Sequence, residues 1–386
     1  MEEKTIKVLQ VLGSMNMGGA ECRMMDVYRH INRTLYDFDF VSFTEGEDFF
    51  EKEIRSYGGE VHHIASPRGR SLIQHFRELY KCIRNGNYDV VHAHTSFHSG
   101  IVMLIAWICK VPVRISHSRN LSTLRSGVAH GLEEFVGKIL IKMFATKCVA
   151  ISVDAGKYLF GRKKYQVIPN AIDTEKYQIC SDEKIEQLKK EIGIPSDCII
   201  IGQVGRFSRV KNHRFTIDFF EHYLQSTPNA VLVFVGGGLF ESEIEEGNHI
   251  SELVKSKGLK DKVIFTGVRS DIPDFIHVLD TLIFPSFYEG LGGVAIEAQA
   301  AGVPVVENEE LPKETDLGIG LVEKCSLNAP LEEWKEKINL SVNKPRPTYQ
   351  DINRAFDSNG FSIEATTQTL CRMYRNENID GNNNNI

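Results

Sequence analysis

The chain has eight cysteines, but no two stand in C-x-x-C spacing. A zinc knuckle or a disulfide scaffold is therefore not expected, and the reading is reduced thiols in a cytoplasmic protein. No apolar run reaches the ~18–20 residues of a membrane span; the longest, Gly100 to Cys109, is about half that and is closed by Lys110. Met1-Glu2-Glu3-Lys4-Thr5 runs straight into an apolar strand, so no signal peptide is expected. Internal repeats are absent beyond a shared alternation of elements, and the glycine loop Gly13 to Glu21 does not have the dinucleotide spacing. The whole chain carries a formal charge of −6, and its basic segment lacks interleaved aromatics, which argues against nucleic acid. With 42% hydrophobic and 25% charged residues, wholesale disorder is also excluded.

What is present is a rhythm of short apolar strands and helices, which argues for α/β architecture with parallel sheets. Strands are expected at Lys7–Leu12, Phe38–Phe43, Glu60–Ile64, Tyr88–Ala93, Val113–Ser116 and Cys148–Ser152, with helices between them. The pattern breaks near Ile168-Pro169-Asn170-Ala171-Ile172-Asp173, and a charged stretch runs to Ile194. It restarts with strands at Ile199–Val204, Ala230–Val235, Val263–Thr266, Thr281–Pro285 and Val303–Val306. Two doubly wound Rossmann-like domains facing across a cleft are expected. Their ranges are 1–170 and 171–355, with a C-terminal helix at 356–378 packing back on the first and a disordered tail at 379–386. In such sheets ligands bind at the carboxyl ends of strands.

Three loops at expected strand ends carry chemistry. The richest runs Ser286-Phe287-Tyr288-Glu289-Gly290-Leu291-Gly292-Gly293-Val294-Ala295-Ile296-Glu297. A glycine turn opening a helix suits an anion, because N–H groups and the helix dipole point at it. The carboxylates Glu289 and Glu297 suit hydroxyls, so the combination points to a phosphorylated sugar. In the second loop, Arg206 follows a strand and Lys211 opens the next helix, a cation pair suited to a diphosphate. The third, Gly13 to Glu21, places Gly18 and Gly19 at a helix start, where backbone could hold a phosphate or simply turn.

Other patterns have plainer readings. Asp37-Phe38-Asp39 mimics a D-x-D metal site but lies in an alternating strand. His92, His94 and His98 have the look of a metal triad, yet substrate contact or packing is the better reading. His62 and His63 point to opposite faces of a strand, and Cys22 reads as small-residue packing.

In their order and spacing these segments resemble the retaining glycosyltransferases of family 4, which have the GT-B architecture. The resemblance spans Val8 to Val306 and includes Gly18-Gly19-Ala20-Glu21, Val90-Val91-His92-Ala93-His94 and Ile168-Pro169-Asn170-Ala171. It continues through Val204-Gly205-Arg206 with Lys211-Asn212, Phe234-Val235-Gly236-Gly237-Gly238, Phe265-Thr266-Gly267, the Glu289–Glu297 loop and Ala301-Gly302-Val303-Pro304-Val305. Arg114-Ile115-Ser116-His117-Ser118 is similar to the exopolysaccharide and capsule branch. The resemblance implies that Arg206 and Lys211 grip the donor diphosphate and that Gly18 and Gly19 close on it. By the same likeness, Glu297 takes the ribose hydroxyls, while Glu289, Gly290, Leu291 and Gly292 approach the donor sugar. His117 would face the transferred sugar, and Val268 and Arg269 would lie near the base. His117, Glu289, Arg206 and Lys211 are thus the implied catalytic set. Two departures stand out: Ala171 replaces the usual glycine, and Leu291 stands where Phe is common.

The expected activity is transfer of a hexosyl-type sugar, with retention, from a nucleotide-sugar donor, UDP-linked by preference. The acceptor would be lipid-linked or saccharide, and neither metal nor cofactor is expected. A UDP-sugar epimerase and a non-catalytic nucleotide-sugar-binding subunit are the alternatives. Residues 91–165 hold 11 basic against 3 acidic side chains. That excess adds an anionic membrane surface to the expected partners, at the inner face of the cell membrane.

Overall fold

The computed structural model describes residues 4–67, 72–119, 128–178, 180–195, 197–238 and 245–377. The tail expected at 379–386 lies outside them, as does Arg125 of the basic stretch. The chain divides into two compact units: Met1–Ala171 with Gly360–Ile386, and Ile172–Asn359.

The first unit is built on a seven-stranded parallel sheet. Its strands are β1 (Ile6–Val11), β2 (Tyr36–Ser42), β3 (Val61–His63), β4 (Val90–Ala93), β5 (Val113–Ser118), β6 (Lys147–Ala150) and β7 (Gln166–Val167). Their spatial order is β3-β2-β1-β4-β5-β6-β7. From β1 the chain winds outward through β2 and β3, then returns to β4 and winds the other way. The switch point therefore lies between β1 and β4, where ligands bind in open sheets of this kind. The central strands β1 and β4 are buried along most of their length, as a sheet covered on both faces requires, whereas β2 alternates buried and half-buried residues. Tyr28 stacks on Phe38 with ring centroids 5.3 Å apart, and Tyr374 meets Phe38 edge-on at 5.8 Å.

The second unit repeats the plan with six parallel strands: β8 (Ile199–Val204), β9 (Ala230–Val235), β10 (Val263–Gly267), β11 (Thr281–Phe284), β12 (Val305–Asn308) and β13 (Val322–Cys325). The order β10-β9-β8-β11-β12-β13 places its switch point between β8 and β11. Every residue of β9 is buried, and Phe207, Phe219, Phe234 and Trp334 fill the core around it.

Two expectations about helices need correction. The stretch read as a charged break contains the helix Asp182–Glu191, N-capped by Ser181, whose hydroxyl accepts from Lys184 N–H. Leu188 is its one buried residue, so no apolar stripe announced it. The single C-terminal helix expected at 356–378 is instead the end of one helix, Tyr349–Ser358, and another, Ile363–Tyr374. Gly360, at φ +77°, ends the first in the left-handed region, and Ser362 caps the second. The break also divides the units. Tyr349–Ser358 falls in the second, while Ile363–Tyr374 buries Ile363, Leu370, Met373 and Tyr374 in the core of the first.

Candidate donor site and histidine network

At the switch point of the second unit, the loops after β8 and β11 are stitched together by backbone. Phe287 N–H donates to Val210 O at 2.9 Å, and Asn212 Nδ2 to Pro285 O at 3.2 Å. The buried Gln203, near the end of β8, donates from Nε2 to Lys211 O at 2.6 Å. This stitching brings Lys211 and Glu289, 78 positions apart, into contact: Lys211 Nζ lies 2.6 Å from Glu289 Oε1. The ammonium also sits 5.0 Å from the Phe284 ring centroid. Arg206 stands exposed at the end of β8, with no hydrogen bond or ion pair among the described residues. Beside this pair, Gly292 turns left-handed at φ +77° and opens the helix Gly293–Ala300, which carries Glu297 in its second turn. The first intrahelical donor is Ala295 N–H, to Gly292 O, so earlier N–H groups point outward. Leu291 is buried beneath the turn. One cation is thus braced by a carboxylate and a ring, a second is unengaged, and a helix start adjoins both.

Glycine holds the floor of this site by necessity. A Cβ on Gly236 would fall 2.1 Å from Gly205 O, at a φ of +152°. One on Gly237 would meet Val268 at 2.9 Å. Val268 itself is exposed. Arg269 is committed elsewhere: it grips Asp271 through two bonds of 2.8 and 2.7 Å and Glu191 at 2.8 Å. Near a base, it can therefore offer backbone but not a spare charge.

In the first unit, Gly18 and Gly19 follow β1 as expected. Gly18 is extended, and a Cβ there would meet the Glu21 carboxylate at 2.3 Å. Gly19 faces open space. Across the same switch point, the histidines regroup. His98 turns away to His75, with ring nitrogens 3.1 Å apart. His117, at the end of β5, takes its place beside His92 and His94, and ligand nitrogens of these three lie within 4.8 Å of one another. The cause is register: β4 and β5 are neighbours, with Ala93 opposite Ser116. All three rings are buried, and burial holds each well below the ordinary histidine value.

This trio does not suit a metal ion. His94 Nδ1 accepts from Arg119 Nε at 2.9 Å, and its Nε2 meets Gln10 Oε1 at 3.0 Å. His92 Nδ1 meets Tyr374 Oη at 3.1 Å, and its Nε2 meets His117 Nδ1 at 3.1 Å. Of the trio's ring nitrogens, only His117 Nε2 lacks a partner among the described residues. The guanidinium touching His94 would also repel a cation. The aspartates of the D-x-D segment are structural too. Asp39 accepts from Tyr88 Oη at 2.8 Å and Glu60 N–H at 2.9 Å, and Asp37 lies 3.6 Å from Lys7.

Sequence reading had not given Gln10, Arg119 or Tyr374 a role in this network. Gln10 left a signal, a lone amide inside the apolar strand Val8-Leu9-Gln10-Val11-Leu12, which burial makes costly without partners. Arg119 follows His117 by two positions, on the same side of an extended chain. Tyr374 left none, since nothing local ties the last helix to β1 and β4.

Comparison with known proteins points to one family and one fold. The family model for Glycosyltransferase Family 4 matches residues 17–176, and that for Glycosyl transferases group 1 matches 184–314. EpsF of Bacillus subtilis (strain 168), a glycosyltransferase by name, is 32% identical over 382 residues, covering 97% of each chain. The capsular polysaccharide biosynthesis glycosyltransferase CapH of Staphylococcus aureus is 27% identical over 391 residues, 97% of this chain and 100% of CapH. Among solved structures, Anabaena Alr3699/HepE in complex with UDP and glucose superposes with a TM-score of 0.79 at 22% identity. The match covers 96% of this chain and 99% of HepE, and the shared fold is GT-B.

Proposed function

The chain belongs to glycosyltransferase family 4, and on that premise we propose that it transfers a sugar, with retention, from a UDP-sugar to a lipid-linked or saccharide acceptor in exopolysaccharide or capsule synthesis. The observation that carries this reading is the Lys211–Glu289 pair beside the unengaged Arg206 and the helix start at Gly293. A departing nucleoside diphosphate gains negative charge as the glycosidic bond breaks. Arg206, Lys211 and outward N–H groups are placed to stabilise that charge, each charge-assisted hydrogen bond contributing roughly 1.5–3 kcal/mol. This work needs no metal, and neither aspartate of the D-x-D segment is spare for one. Glu297 takes the ribose hydroxyls and Glu289 the sugar side. The choice of UDP follows HepE, which was solved with UDP. The preference for a cell-surface glycan follows CapH.

An anionic membrane surface completes the proposal. The helix Val128–Phe144 leaves Leu132, Phe135 and Met143 more than 60% exposed. Trp107 and Ile108 add to this apolar face, Trp107 packing 5.0 Å from Phe144. A groove of about 410 Å³ alongside is lined by Phe135 and Ile139 together with Lys138, Lys142, Lys157 and Lys163. Apolar side chains ringed by lysines suit insertion among acidic headgroups.

Turnover of a UDP-sugar panel with a membrane-extract acceptor tests the enzyme reading. Glycoside formation by the wild type, lost in Lys211→Ala and Glu289→Ala, is the expected result. A sugar isomer released without acceptor would instead favour an epimerase, and UDP binding without any turnover a non-catalytic subunit.

A further inference from the structure

The hydrogen bonds around His117 form one directed chain whose sense is fixed at its far end. Arginine can only donate, so Arg119 Nε–H gives its proton to His94 Nδ1 at 2.9 Å. Neutral His94 must then carry its proton on Nε2, which donates to Gln10 Oε1 at 3.0 Å. That fixes the Gln10 amide, because a flip would set two donors against each other. Gln10 Nε2 therefore faces Tyr374 and donates to its oxygen at 3.0 Å. The hydroxyl proton of Tyr374 is left to go to His92 Nδ1 at 3.1 Å. His92 then carries its proton on Nε2 and donates to His117 Nδ1 at 3.1 Å. Neutral His117 is left with its proton on Nε2, and that N–H has no partner among the described residues although the ring is 97% buried.

A buried donor without a partner is costly, and native structures usually complete one with protein, ordered water or a ligand. Resting on the reading that His117 faces the donor sugar, we infer that Arg119, His94, Gln10, Tyr374 and His92 are positioning residues that lock His117 as a neutral Nε2–H donor for a hydroxyl of that sugar. The other tautomer would present a lone pair and favour a donating group. The chain thereby selects a hydrogen-bond acceptor at one point of the sugar. It also explains why the last helix, far away in sequence, is carried back to the first unit: Tyr374 is a link no neighbouring segment supplies. Burial pulls Arg119 down to about 10, which leaves it protonated at neutral pH and keeps the sense of the chain fixed.

Two-bond proton–nitrogen spectra of the full chain labelled in histidine read the tautomers directly, with His117 assigned by its loss in His117→Gln. The wild type should show protonated Nε2 and bare Nδ1 at His117. Tyr374→Phe, which keeps the ring and removes the link, should turn His117 into a tautomer mixture. A proton on Nδ1 in the wild type, or a tautomer unmoved by Tyr374→Phe, overturns the chain. Kinetics test its purpose separately. Tyr374→Phe should raise the UDP-sugar KM roughly fivefold, the worth of one neutral hydrogen bond. In the His117→Gln background, where an amide N–H donates without help, the same change should cost nothing further. Equal cost in both backgrounds means that Tyr374 is merely structural and overturns the positioning role. If the tautomers behave as expected while KM stays fixed throughout, the sugar-facing reading of His117 fails and the chain itself stands.

Discussion

Lys211→Met is the most exposing single change, because it keeps the aliphatic stem and removes only the charge. In the folded chain the ammonium lies 2.6 Å from Glu289 Oε1, with side-chain exposures of 20% and 14%. The substitution removes one charge-assisted bond to the donor diphosphate, about 1.5–3 kcal/mol. It also leaves the Glu289 carboxylate without its counter-charge, close to an incoming anion, which adds about 1 kcal/mol at the effective dielectric of a half-buried site. The total of about 2.5–4 kcal/mol corresponds to a fall in kcat/KM of roughly 70- to 900-fold. Initial rates of UDP release measure it. Adding Glu289→Gln should recover roughly fivefold over what independent effects would give, because the stranded charge disappears with it. A fall of less than about threefold, or strict additivity in the double variant, would refute the reasoning.

Gly236→Ala should destabilise the second unit by about 1–3 kcal/mol in urea unfolding, since its Cβ would strike Gly205 O at a φ of +152°; an unchanged midpoint would contradict this. Leu132→Glu with Phe135→Glu should cut sedimentation with vesicles rich in anionic lipid about tenfold or more, while recovery with neutral vesicles stays low in wild type and variant. Asp39 gives a pH signature. Desolvation raises its pKa, but the nearby His62 ring, 3.9 Å away, and the hydrogen bonds from Glu60 N–H and Tyr88 together outweigh it, so the folded value is lowered. Its stabilisation is therefore present above the unfolded value near ~3.9 and is lost as pH falls through the folded one. Asp39→Asn should cost about 1–2 kcal/mol at pH 7, with the gap to wild type closing below about pH 4 and UDP affinity unchanged.

The sheets were legible in the sequence because both faces of each are covered, so β9 and β11 read as unbroken apolar runs, and β1 and β8 as apolar runs with few polar interruptions. The Lys211–Glu289 contact was half-legible: each residue stood out, but their meeting depends on β8 and β11 being neighbours, which alternation alone does not state. The histidine network was misread for the same reason. Spacing within one segment favoured His98 as the third member, whereas the register of β4 on β5 supplies His117. The helix Asp182–Glu191 and the break at Gly360 escaped because one has a single buried residue and the other turns on one glycine's backbone. Tyr374 could be placed only by tertiary packing.

Titration calorimetry comparing UDP with UMP tests the central claim most directly, because the two ligands differ only in the phosphate that Arg206 and Lys211 are held to grip. Wild-type protein should bind UDP at least about tenfold more tightly than UMP, and the Arg206→Ala, Lys211→Met double variant should bind the two alike. Equal affinities in the wild type, or a preference for UDP that survives in the double variant, would contradict it.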